Sequence, residues 1–114
     1  NHPSAYNSLA WVYATAKDES YRDGAKAVKF ALKAIGIQKK AAYLDTLAAA
    51  YVENQKYENA VKAYKNAIQK DNSRLKRYKK SLKERGYYSG PIDSRYSQKF
   101  ESSLRAFVMD NNYL

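Results

Sequence analysis

Leu47-Ala48-Ala49-Ala50-Tyr51, followed by Ala60-Val61-Lys62-Ala63-Tyr64-Lys65-Asn66-Ala67-Ile68, repeats a pattern that appears earlier in the chain. The earlier copy is Leu9-Ala10-Trp11-Val12-Tyr13, followed by Ala27-Val28-Lys29-Phe30-Ala31-Leu32-Lys33-Ala34-Ile35. In the later copy Leu44, Leu47, Ala48 and Tyr51 share the spacing of one helical face, and so do Ala60, Tyr64 and Ala67. Two antiparallel helices approach closely only where the facing side chains are small, so Ala48 and Ala60 mark a crossing, and the large aromatics fill the space between one hairpin and the next. The spacing predicts helices over 41–53 and 57–70, joined by a turn at Asn54-Gln55-Lys56. The expected fold class is all-α, built from antiparallel helical hairpins.

Outward from that repeat, Tyr6, Leu9, Ala10 and Tyr13 predict a helix over 4–16. A polar loop, 17–22, leads to Asp23, placed to cap a helix running through Ile35 and stopped by Gly36. Asp71-Asn72-Ser73 breaks the chain and supplies caps for a helix over 74–85, with Leu75, Tyr78 and Leu82 on its inner stripe. Gly86 ends that helix, and 87–93 is turn-rich around Gly90-Pro91. Ser97 caps a last helix carrying Phe100, Leu104, Phe107 and Val108, which Asn111-Asn112 closes. No stretch predicts a β-strand.

A chain of 114 residues holds one compact domain or a short repeat array. It contains no Cys, which excludes disulfides and cysteine metal sites and fits an exported protein, although the cytoplasm stays open. No apolar run approaches the ~18 residues of a membrane span. His2 is the only histidine, no serine sits in a Gly-x-Ser-x-Gly elbow, and the acidic residues show no evident pairing. No catalytic residues, metal or cofactor are therefore expected. The chain begins with Asn1 rather than Met, which leads to the expectation of a larger parent protein.

Charge is concentrated. Of a net +10, residues 62–85 carry 10 basic and 2 acidic side chains, while 1–61 carry 8 and 6. Lys76, Arg77, Lys79, Lys80 and Lys83 form the candidate basic patch. Such a patch can meet nucleic-acid phosphates, anionic lipid or cell-wall polymer, or can be a solvated helix face whose stems cover apolar surface. Nothing in the pattern specifies base recognition, so nucleic acid ranks below the other partners.

The small and large positions of 41–73, with Ala48, Ala60 and Ala67 against Leu44, Leu47, Tyr51, Tyr57 and Tyr64, resemble the tetratricopeptide repeat. Residues 3–40 resemble it through Ala10, Tyr13, Ala27 and Ala34, with an enlarged loop, and Asn72 stands where the family places proline. The resemblance implies a groove lined by the first helix of each hairpin, which maps onto Asn7, Trp11, Asp45, Ala49, Val52 and Glu53, with the helix at 74–85 third in line. Trp11, the only tryptophan, would be either an anchor for a bound peptide or an inter-repeat packing residue.

Leu82 to Asp93, with Tyr96 and Leu104-Arg105-Ala106-Phe107, is similar to a bacterial peptidoglycan-binding-like domain, shortened and with Ser94 and Ser97 in place of glycines. That resemblance implies glycan or stem-peptide contacts from Tyr87, Tyr88, Asp93, Arg95 and Tyr96. The alternative is structural, with Asp93 capping the loop and Tyr96 and Phe107 filling a small core. The expected organisation is two tetratricopeptide-like hairpins over 1–73, then a capping helix and peptidoglycan-binding-like unit over 74–114.

The resulting expectation is a non-catalytic protein–protein interaction scaffold from a larger bacterial protein of the periplasm or cell envelope. A peptidoglycan-binding module is the first alternative. Binding of nucleic acid or an anionic surface through 74–85 is the second.

Overall fold

The computed structural model describes residues 2–114, and among them the chain is all-helical. α1 (Pro3–Thr15) and α2 (Gly24–Ile37) form the first hairpin, joined by a loop that contains a 3-10 turn at Glu19–Tyr21. α3 (Ala41–Glu53) and α4 (Tyr57–Lys70) form the second, with the bounds that the spacing predicts. α5 (Ser73–Glu84) and α6 (Gln98–Met109) complete the chain. α3 packs on both helices of the first hairpin, and α6 returns to lie on α4.

Local chemistry accounts for most boundaries. Asp23 accepts the Lys26 amide at 3.1 Å, and Ser97 accepts the Phe100 amide at 3.1 Å, each satisfying a free amide at a helix start. Gly86 takes a positive φ of +82° to leave α5, and Asn111 does the same at φ +63° after α6. One expectation needs correction. α2 does not stop before Gly36 but continues through it to Ile37, because nothing there calls for a left-handed residue. Within the expected cap Asp71-Asn72-Ser73, Asp71 holds the entry to α5: its Oδ1 accepts the Ser73 amide at 3.2 Å and the Ser73 hydroxyl at 2.7 Å.

The crossings are built from alanine. Ala10, Ala27, Ala31, Ala34, Ala48, Ala60 and Ala67 are fully enclosed, as the repeat requires. At Gly24 the backbone of α2 meets the end of α3 so closely that a Cβ would lie 2.7 Å from Asn54 Cα and N. The main apolar core then runs from Ala10 through Leu44, Tyr64 and Leu75 to Phe100 and Phe107, beside a smaller cluster of Ala14, Ala27, Ala49 and Ala50. It crosses the division expected near residue 73, so the repeats and the C-terminal helices share one interior.

Repeat register explains an exposed exception. Leu9 and Val12, expected or free to face inward, are 44% and 53% exposed, whereas their counterparts Leu47 and Ala50 are 7% and 0%. The second hairpin's face is covered by the first, and the first hairpin's equivalent face is the outer edge of the stack.

Candidate functional site

α1, α3 and α5 contribute one continuous surface, and the segment that follows α6 lies along it. Asn111 and Tyr113 share a cleft with Ala49, Val52 and Gln55, and Leu114 sits beside Asp45, Tyr78 and Arg85. The segment therefore runs antiparallel to α3, from its last turn toward its first. Its anchors are specific. The Leu114 amide donates to the Tyr64 hydroxyl at 2.7 Å, and the Tyr57 hydroxyl donates to Asn111 Oδ1 at 2.7 Å. The ring of Tyr113 packs on a small-residue floor that includes Ala14 and Ala49 and meets Trp11 edge-on, with centroids 5.5 Å apart.

The six groove positions implied by the repeat resemblance are all placed on or near this surface, but not as an open groove. Ala49 and Val52 are buried, because Tyr113 and its neighbours close over the floor that they form. Asp45 is committed internally. It accepts the Tyr78 hydroxyl and pairs with Arg74 at 2.7 Å, with Arg77 3.9 Å away. Burial pushes the Asp45 carboxyl above the usual carboxylate range, opposed by the Tyr78 hydrogen bond and the Arg74 charge. The Tyr78 hydroxyl is in turn pushed far up by burial and by the adjacent carboxylate.

Glu53 pairs with Arg22 at 3.3 Å, and Arg22 Nη1 donates to the Ala16 carbonyl at 3.0 Å, which pins the interhelical loop to the end of α3. A cleft of about 380 Å³ remains between this pair and Tyr113. Trp11 keeps 39% of its surface open. The side-chain oxygen of Asn7, one turn earlier on the same face of α1, is enclosed without a hydrogen-bond partner.

The basic patch is corrected at one position. Lys76, Arg77, Lys80 and Lys83 are exposed along α5, but Lys79 is 1% exposed. Its ammonium donates to Asp93 Oδ1 at 2.6 Å, to the Asp93 carbonyl at 3.2 Å and to the Arg95 carbonyl at 2.6 Å, so all three protons are used. The signal was present in the spacing: Lys79 stands four residues after Leu75 and three before Leu82, on the inner stripe of α5.

The positions implied as glycan contacts are largely tied up the same way. The Tyr88 hydroxyl donates to the Pro91 carbonyl at 2.8 Å, Tyr96 to Glu101 at 2.6 Å and Tyr87 to Asp110 at 2.5 Å. Asp93 is paired with Lys79, which holds its carboxyl below the usual range. The Arg95 side chain is exposed, while its backbone carbonyl serves the Lys79 staple. A depression of about 460 Å³ lies over this cluster. Its aromatic edges are engaged in holding the loop 87–97 rather than presented to it.

The residues that sequence reasoning missed are Tyr113, Leu114 and Arg22. Tyr113 and Leu114 follow the asparagines that close α6 and carry no periodicity, and Arg22 sits in a polar loop with no motif. Among the described residues no helix is long and apolar enough to cross a membrane. Comparison with family models, with curated proteins and with solved structures finds no match for this chain.

Proposed function

We propose that this chain is a non-catalytic protein–protein interaction scaffold, tetratricopeptide-like in its first two hairpins, whose α1–α3–α5 face takes an extended peptide segment. One observation carries the reading: that face already holds a non-helical stretch of chain, Tyr113 and Leu114, against Trp11, the alanine floor and the Tyr64 hydroxyl. A half-open tryptophan beside small residues suits peptide capture, because it offers apolar area without first burying itself. The face is framed by an ion pair, Arg22–Glu53, on one side and by the exposed cations of α5 on the other.

Site-specific photo-crosslinking tests it. A photoreactive side chain in place of Lys17, exposed at the rim of the cleft beside Tyr113, should capture a discrete protein partner, and the same group at Lys29, exposed on α2, should not. Equal capture from both positions, or capture from neither, overturns the reading.

A further inference from the structure

The α1–α3–α5 trough holds a segment that fills it incompletely. Tyr113 and Leu114 are only half-buried, and the 380 Å³ cleft beside Tyr113 stays open. One enclosed polar atom on α1, Asn7 Oδ1, one turn before Trp11, is left without a hydrogen bond. An enclosed polar group without a partner is costly, so a ligand that supplied a donor to Asn7 would gain a hydrogen bond that the present occupant does not make. One backbone hydrogen bond, from Leu114 to Tyr64, ties the main chain of 112–114 to the trough itself.

The subsites define a chemistry. Ala14 and Ala49 leave a small-residue floor walled by Trp11, which suits an aromatic ring lying across it. One residue further along, Leu114 packs on the main core beside Asp45, Arg77, Tyr78, Ser81 and Arg85, which suits an aliphatic side chain. Resting on the scaffold reading above, we propose that the trough recognises an extended segment carrying an aromatic residue followed by an aliphatic one. Tyr113 and Leu114 are its resident occupants, and a partner must displace them. An attached occupant acts at an effective concentration in the millimolar range for a short tether, so it masks the trough against weak ligands and yields to a better-matched one.

The probe is a fluorescein-labelled peptide of sequence Asp-Asn-Asn-Tyr-Leu, the sequence of residues 110–114, titrated by anisotropy. A variant carrying Tyr113→Ala and Leu114→Ala should bind it at least tenfold more tightly than the native chain. Replacing both the tyrosine and the leucine of the peptide by alanine should abolish binding. Adding Trp11→Ala to the variant should weaken binding about tenfold or more. Trp11 is the only tryptophan, so its emission should move to longer wavelength in the double variant and return as peptide is added. If circular dichroism shows the double variant unfolded, Tyr113→Ala alone keeps the experiment available, because it leaves Leu114 and its hydrogen bond to Tyr64 in place. No binding to a helical variant, or equal binding to variant and native chain, overturns the inference. A partner captured through position 17 with the same affinity for native chain and variant also overturns it, while leaving the scaffold reading standing. Peptide binding of the expected pattern with no partner captured supports the trough's chemistry and counts against the scaffold reading.

Discussion

The ammonium of Lys79 lies 2.6 Å from Asp93 Oδ1, and the two residues couple α5 to the loop that leads into α6. Only the lysine end is buried: Lys79 is sealed under the loop, while the Asp93 side chain keeps about half its surface in water. The ammonium also lies 5.7 Å from the centre of the Tyr88 ring. Each of its three protons has an acceptor, and the loop backbone supplies two of the three. The loop is therefore wrapped around a charge rather than packed on a hydrophobic plug.

Replacing Lys79 by alanine should destabilise the protein by about 2–4 kcal/mol, because it removes three charge-assisted hydrogen bonds and leaves a void. Lys80→Ala, one residue along on the exposed face, should change stability by less than about 0.5 kcal/mol. Urea unfolding followed by circular dichroism separates the two. Equal effects would show that Lys79 is solvated like its neighbours.

Acid should loosen the same staple. The Lys79 hydrogen bond, aided by the Arg95 amide, holds the Asp93 carboxyl below its ordinary value of 3.8. A carboxyl with a lower pKa in the folded state stabilises that state above its unfolded pKa. The contribution disappears as pH falls through the folded value. Asp93→Asn should thus be less stable than the native chain at about pH 5, and the gap should close toward about pH 2. Urea midpoints across that range measure it, and a gap independent of pH would show that the ion pair contributes nothing.

Tyr64 offers a different test of the trough. Its ring is wholly buried, edge-on to Tyr78 at 5.4 Å, and its hydroxyl accepts the Leu114 amide. Tyr64→Phe keeps the ring and removes the acceptor, which should cost about 0.5–1.5 kcal/mol and move Trp11 emission to longer wavelength as Leu114 loosens. Unchanged emission would mean that the Tyr113 ring alone seats the segment.

Two glycines of α2 should respond oppositely to alanine. At Gly24 the new Cβ would meet the Asn54 backbone at 2.7 Å, so Gly24→Ala should destabilise by about 1–3 kcal/mol as the hairpins are pushed apart. At Gly36 nothing lies within 4 Å, so Gly36→Ala should stabilise by about 0.5 kcal/mol through helix propensity. Thermal unfolding of the pair checks the sign at each site.

Much of the fold was legible because helix formation is written in local spacing. The apolar period located α3 and α4 to the residue. Alanines at Ala10, Ala48 and Ala60 announced the crossings, and Asp23, Ser97 and Gly86 marked helix ends through their own hydrogen bonds and dihedral freedom. The site was less legible. Asp45 and Glu53 read as groove residues from their place on α3, but both are held by arginines whose positions in space the linear pattern does not express. Lys79 was counted with the exposed cations because charge outweighed its inward register.

The sequence by itself determined the helices, their pairing into hairpins and the small residues that let them touch. Each of these depends on interactions between residues close in the chain or in a repeating register. Tertiary structure alone decided that α6 folds back onto α4, that Lys79 is buried beneath the loop 87–97, and that Tyr113 and Leu114 lie in the trough of α1, α3 and α5. The Leu114–Tyr64 bond joins residues 50 positions apart and the Arg105–Glu58 contact residues 47 apart. Contacts of that kind follow from how the finished helices stack and leave no periodic trace along the chain.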